Sequence, residues 1–239
     1  MAWGFMTIAH IVSLIVAALI LVGLYFIIRN KSEKLQMWVL FVLSCSGLAA
    51  IIFNLLRWDE PLAYLPLHLC SINAMLLPIT VLTRNKTLGN LLLVWCLGAL
   101  VALVLNFEVA ETELFGETFC FYYFPHIFEF GIPVLLFKLG LIKKDPRCIV
   151  STLSITMVLY TVAHLCNLMV NNYCVSIGKD LSVNYMFSIR PTNPLVELFY
   201  QVIPCEYWYM YLVLPIVAVY LLAIYSPELI ARRRKKANV

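Results

Sequence analysis

The sequence predicts an all-α fold, a polytopic helical bundle built to sit in a membrane. Three observations carry that prediction. Of 239 residues, 63% are hydrophobic and 13% are charged, roughly half the charged share of a soluble domain. The apolar residues gather into runs of about twenty, the length at which a helix crosses the hydrocarbon. Lysine and arginine collect in alternate connections between those runs, as cytoplasmic loops do. With a mean hydropathy of +0.91, the chain cannot cover a water-soluble globule, so the bilayer is its solvent. The net charge of +4 sits in short loops and the tail. It reads as a topology signal, and no nucleic-acid partner is expected.

Seven spans are predicted in a single transmembrane domain of residues 1–239, at about 5–28, 37–56, 65–83, 88–106, 119–140, 149–171 and 207–226. The first run is long and lacks a basic leader, so it reads as a spanning helix and not as a cleavable signal. Arg29–Lys34, Arg84-Asn85-Lys86, Lys143–Arg147 and the tail Arg232–Lys236 are basic. The alternate loops are Arg57–Glu60 and the acidic stretch Glu108 to Glu117. Seven spans place the basic set on one side, with the N-terminus outside and the C-terminus cytoplasmic. A multi-pass protein of the cell (plasma) membrane is the resulting expectation. Residues 172–206 form an outer segment, too long for a simple connection and expected to act as a lid or re-entrant element. Residues 227–239 are a basic tail. Of the cysteines, Cys45, Cys70, Cys96 and Cys166 lie inside apolar runs and read as small hydrophobes. Cys120, Cys174 and Cys205 lie near segment ends, which leaves a disulfide among them open.

Polar side chains inside apolar helices are costly unless paired or used. In this topology all four histidines, His10, His68, His126 and His164, fall toward the outer side with Glu129, Cys70 and several asparagines. That one-sidedness predicts a polar cavity open to the outside. The stretch Leu65 to Asn73 carries His68, Cys70, Ser71 and Asn73. Helical residues three or four apart share a face. His68 then aligns with Ser71, and Cys70 with Asn73, so neither face is a complete site. In the fifth span Tyr122, His126 and Glu129 share a face. A histidine one turn from a carboxylate makes an oriented general base; the alternative is a structural pair joining helices. In the sixth span His164 and Asn167 lie on one stripe, expected to line the cavity, with interhelical bonding as the alternative. Arg57 and Arg190 are candidates to hold an anionic headgroup. There is no HExxH, CxxC pair, Walker loop or GxSxG. The histidines are too scattered to give a ligand spacing, so no metal and no cofactor is expected.

Trp58-Asp59 followed by Leu65-Pro66-Leu67-His68-Leu69-Cys70-Ser71-Ile72 resembles the signature of bacterial YwaF-type integral membrane proteins. Phe124-Pro125-His126, Asn184-Tyr185-Met186-Phe187 and Pro204 to Tyr209 are similar to later pieces of that family. That family is similar to the eukaryotic transmembrane acyltransferases that remodel ether phospholipids. More distantly, it resembles the androgen-induced transmembrane hydrolases of fatty-acid esters. The resemblance implies a helix-borne nucleophile at Cys70 and its partner histidine at His126. The eukaryotic acyltransferases carry a histidine directly after the cysteine; this chain has Ser71 there and His68 two residues before.

Residues and resemblance together lead to an expected enzyme that transfers acyl groups, an acyltransferase or lipid hydrolase with its Cys/His site in the outer half of the bilayer. Membrane lipid is then both substrate and solvent. Cys70 attacks, His126 and Glu129 handle the proton, and His68 is a second base. Ser71, Asn73, Tyr122, His164 and Asn167 line the substrate, and the headgroup sits near Arg57 or Arg190. The competing expectations are a proton-linked protein that binds or transports a small solute through the same cavity, and a membrane scaffold. Oligomeric state is left open.

Overall fold

The computed structural model describes residues 2–57, 59–107 and 109–237, with side chains as far as residue 230. Trp58 of the sequence motif and Glu108 of the acidic loop lie outside the described residues, as do the side chains of the basic tail from Arg232 to Lys236. The described residues are all-α, without a β-strand. Eight α-helices run in order: α1 (Ile8–Ile28), α2 (Glu33–Arg57), α3 (Leu69–Thr83), α4 (Lys86–Leu105), α5 (Glu117–Lys138), α6 (Cys148–Ser176), α7 (Pro194–Val202) and α8 (Val213–Ala237). Short 3₁₀ turns occupy Pro61–Tyr64, Tyr185–Phe187 and Trp208–Leu212. The chain forms two compact units, Met1–Lys143 and Lys144–Val239.

Six helical stretches among the described residues are long and apolar enough to cross a membrane: α1, α2, α4, α5, α6 and Trp208–Ile230. The third predicted span is the one that falls short. It keeps only the 15 residues Leu69–Thr83 as α-helix, about 22 Å of rise against roughly 30 Å of hydrocarbon. Prolines shorten it. Pro61 opens a 3₁₀ turn. Leu65, next to Pro66, is extended at φ −55° and ψ 140°, as a residue before proline must be. The chain enters the α-helix only after His68, itself extended at φ −77° and ψ 153°. His68 therefore lies outside the helix, and its expected alignment with Ser71 on a helical face does not form.

In the first unit α3 packs against α2, α4 and α5, and α1 lies on α5. The residues before α1 fold back over the connection between α4 and α5. Trp3 N–H donates to the Thr112 carbonyl (2.9 Å) and Gly4 N–H to that of Ala110 (2.6 Å). The buried Trp3 ring meets Phe119, Tyr122, Tyr123 and His10 edge-on, in a core shared with Ala17, Leu103 and Ile127. Its indole N–H donates to Ser13 Oγ (3.0 Å), and the Tyr123 hydroxyl to the Ser13 carbonyl (2.5 Å). At the other end of α1, Gln36 closes the turn into α2. Its amide donates to the Ile28 and Arg29 carbonyls at 3.1 and 3.2 Å, two of the acceptors that a helix C-terminus leaves open.

The second unit is built on α6, which runs 29 residues to Ser176, past the end the sequence predicts. The expected outer segment is ordered by hydrogen bonds to α6, and it contains a helix of its own, α7, capped by Asn193 Oδ1 on Val196 N–H (3.1 Å). All eight cysteines are free thiols, so the open disulfide among Cys120, Cys174 and Cys205 is not formed.

Candidate functional site

Cys70 is the second residue of α3. A helix begins with N–H groups that lack intrahelical acceptors and with the positive end of its dipole. His68 at the cap position makes no side-chain capping bond. The early start of the extended backbone thus puts the thiol at a helix N-terminus, where a regular helix from residue 65 would have buried it one turn in.

α5 brings the partners. His126 Nδ1 and the Tyr122 carbonyl are 2.7 Å apart. A carbonyl only accepts, so Nδ1 carries the proton and Nε2 presents its lone pair. The Tyr122 ring stacks on the imidazole, with centroids 4.2 Å apart, and its hydroxyl donates to the Ala102 carbonyl on α4 (3.0 Å). Tyr122 is therefore a positioning residue for His126. The sequence assigns the orienting contact to Glu129; the structure gives it to the backbone and ring of Tyr122.

Glu129, one turn further along α5, is 4% exposed. Donor atoms of Cys70, His126 and Glu129 all lie within 4.8 Å of one another. Cys70 and His126 are half-buried. Glu129 Oε2 has no hydrogen-bond partner, and neither has Oδ1 of the buried Asn73. The Asn73 amide is 3.5 Å from the Glu129 carbonyl, a long bond that ties α3 to α5. Glycine on α2 makes room for the carboxylate: a Cβ on Gly47 would stand 3.2 Å from Glu129 Oε1 and 2.6 Å from Ala74 Cβ. Gly47 went unnoticed in the sequence. Its signal was present as Ser44, Gly47 and Ala50, small buried residues on one stripe of α2, the pattern that lets helix backbones approach.

The other predicted site residues fall elsewhere. His68 is not a member of the Cys70–His126–Glu129 cluster. Ser71 follows Cys70 in the first turn of α3. Arg57 ends α2 and is exposed, 3.7 Å from Glu117. His10 is structural: Met6 N–H donates to its Nδ1 (3.0 Å), and Nε2–H donates to the Leu103 carbonyl (2.9 Å).

His164, Asn167 and Arg190 belong to the second unit. There Asn167 is fully used. It accepts from Tyr185 N–H (2.8 Å) and donates to the Tyr185 carbonyl (2.9 Å) and Ser188 Oγ (2.8 Å). His164 Nδ1 is 3.0 Å from the same Ser188 hydroxyl. Asn171 holds Val183 by both backbone groups, and Asn184 accepts from Ile189 N–H (3.0 Å) and donates to the Arg190 carbonyl (2.7 Å). Burial, with the Cys166 and Cys174 thiols nearby, pushes the Tyr185 phenol up to about 12, so it stays neutral in this clamp. These amides and His164 bind the connecting segment to α6. The expectation that His164 and Asn167 line a substrate cavity gives way to that structural job, and Arg190 is an exposed residue of the clamped segment.

Scattered histidines offered no metal spacing, but the fold assembles a three-donor set of sulfur, imidazole nitrogen and carboxylate oxygen. Chemically the set suits a nucleophile with a base, or a thiophilic cation. The family model of the TMEM164 family matches residues 5–225. No curated protein and no solved structure matches the chain.

Proposed function

The chain belongs to the TMEM164 family, a family of multi-pass membrane proteins, and from the site its own residues build we propose that it is a membrane-embedded acyl-transfer enzyme with Cys70 as nucleophile. The observation that carries the proposal is the convergence within 4.8 Å of Cys70 on α3 with His126 and Glu129 on α5, more than fifty positions further along the chain. The resemblance of the α3 motif to the YwaF-type and ether-lipid acyltransferase signatures supports the same roles.

His126 takes the Cys70 proton on Nε2, the nitrogen that its bond to the Tyr122 carbonyl leaves open, directly or through one water, the ring and the thiol sharing a set of donors within 4.8 Å. The thiolate adds to an acyl ester carbonyl, and the oxyanion faces the first-turn N–H groups of α3, among them that of Ser71. The intermediate collapses. The C–O bond breaks, and the departing alcohol, a lysolipid, takes the proton from His126, leaving a Cys70 thioester. A second hydroxyl, of lysolipid or water, gives its proton to His126 and attacks the thioester, which returns the thiolate. Glu129 stabilises the imidazolium while it exists. The alternation of basic loops, which counts the short α3 as one of seven crossings, supports a site in the outer half of a plasma membrane with the N-terminus outside. Arg57 is the headgroup candidate in the same unit.

The test is direct. Incubating the purified protein with a phospholipid labelled in its acyl chain is expected to leave a hydroxylamine-labile acyl group on the Cys70 peptide. Lipid turnover that persists unchanged in Cys70→Ser or His126→Ala protein would overturn the assignment.

A further inference from the structure

Glu129 presents a problem that acyl transfer does not solve. Its carboxyl is 96% buried, and Oε2 has no hydrogen-bond partner. Among the described residues no lysine or arginine pairs with it: in the first unit Arg57 faces Glu117 and Arg84 faces Glu33. A buried acceptor left unsatisfied costs about 1–3 kcal/mol, more when it is charged. A buried carboxylate is stable when it meets a proton or a cation. The donors that share its pocket are a thiol and an imidazole whose Nδ1 proton is already committed to the Tyr122 carbonyl. That tautomer turns the Nε2 lone pair outward, as a metal-ligating histidine does, with the backbone carbonyl acting as the orienting partner behind it.

We propose that Cys70, His126 and Glu129 form a binding site for one thiophilic divalent cation, Zn²⁺, and that the cation blocks the site by taking the thiolate. The donor set is the first argument. One thiolate, one neutral imidazole and one carboxylate match zinc ligation, and three protein ligands leave a fourth position open. Hard cations such as Mg²⁺ and Ca²⁺ prefer all-oxygen shells. Charge is the second argument. Thiolate and carboxylate together carry two negative charges, so the zinc complex is neutral. A neutral complex avoids most of the desolvation penalty that an isolated buried charge carries. Distance is the third. Ligand atoms around tetrahedral zinc sit about 3.5 Å apart. The donors lie within 4.8 Å of one another, so they must close by roughly 1 Å, which side-chain torsions of Cys70 and Glu129 can supply. Gly47 leaves the carboxylate the space to turn, because no Cβ stands against Oε1.

Binding expels the thiol proton and any proton on the Glu129 carboxyl, and the occupied sulfur no longer reaches an ester. The site is shared with the proposed acyl transfer, but the metal claim is measured without lipid. Metal-stripped full-length protein in detergent is titrated with Co²⁺ as a spectroscopic stand-in for Zn²⁺. A thiolate-to-cobalt charge-transfer band saturating at one ion per chain is expected, with Zn²⁺ bleaching it and Mg²⁺ or Ca²⁺ leaving it intact. Cys70→Ser removes the band. Glu129→Gln weakens Co²⁺ binding about tenfold or more, and Cys205→Ser changes nothing. Absence of a band, its survival in Cys70→Ser, or displacement by Ca²⁺ overturns the site. Should Cys70→Ser fail to fold, wild-type protein decides the matter. Zn²⁺ at ten times its dissociation constant slows maleimide labelling of Cys70 about tenfold, while labelling of the exposed Cys205 is unaffected; equal labelling with and without Zn²⁺ overturns it too. The two proposals fail separately. A missing acyl adduct on metal-free protein retires the nucleophile and leaves the cobalt band standing; a missing band leaves the adduct to be found.

Discussion

Two clusters of polar side chains interrupt the apolar helices, and they differ in how completely they are bonded. In the second unit, Asn167, Asn171, Asn184 and His164 hold the segment from Val183 to Arg190, and each amide is matched to backbone or hydroxyl groups. In the first unit, Cys70, His126 and Glu129 converge while Glu129 Oε2 and Asn73 Oδ1 lack partners. Both clusters carry a histidine and amides, the composition that marks either structure or function at membrane depth. Saturation separates them. A satisfied network rigidifies, and an unsatisfied buried acceptor is a cost that persists where another ligand, proton or substrate completes the shell. His10 and His126 repeat the contrast inside one unit. Both nitrogens of His10 are bonded to backbone, whereas His126 has Nδ1 anchored to the Tyr122 carbonyl and shares a cluster with the Cys70 and Glu129 donors.

The sharpest way to break this contrast is Cys70→Ser. Loss of the proposed nucleophile is expected to lower lipid turnover about a thousandfold or more, with the helical circular dichroism spectrum and melting curve of the wild type. A variant that melts early and keeps its turnover per folded molecule would make Cys70 structural and erase the distinction. Asn167→Ala is the opposite experiment. It removes three hydrogen bonds and strands the Tyr185 backbone, so roughly 2–4 kcal/mol of stability is expected to be lost. The segment should become open to proteolysis, and acylation of Cys70 per folded molecule should not change. A loss of rate without a loss of stability would move Asn167 into the site.

Gly47→Ala probes the space behind Glu129. The added methyl meets Ala74 at 2.6 Å, so α2 and α3 must part, at about 1–3 kcal/mol. Because the carboxylate is displaced as well, acyl-adduct formation is expected to slow about tenfold or more. An unaffected rate would show that Glu129 has no part in the chemistry. The smallest effect belongs to Tyr122→Phe. The ring that stacks on His126 is kept and the bond to Ala102 is lost. The expected result is about 1 kcal/mol less stability with a rate within a fewfold of wild type, whereas Tyr122→Ala, which removes the ring, is expected to slow the reaction further. Equal rates for the two variants would remove Tyr122 as a positioning residue.

Much of this architecture is legible in the residues. Hydropathy located the helices, because a run of about twenty apolar residues has few other homes. It misjudged α3, where composition stays apolar through residues 65–68 but Pro66 holds Leu65 extended and His68 is extended too, so the α-helix opens only at Leu69. That error bears on function, since it moves Cys70 to the first turn of its helix. Periodicity correctly grouped Tyr122, His126 and Glu129, because neighbours on one helix are set by local geometry alone. It could not separate the asparagines that clamp a segment from residues that line a site, since both look alike in sequence.

Hydropathy and helical spacing, as properties of short stretches, make the chain a multi-pass helical membrane protein and set Cys70, His126 and Glu129 among its many costly polar residues. Only the tertiary structure decided that these three meet. It alone gave the orientation of His126 to Tyr122, opened the space for Glu129 at Gly47, and left the carboxylate unsatisfied. Those facts depend on which helix faces which across more than fifty residues of chain, and on which hydrogen-bonding groups are already taken when the helices pack.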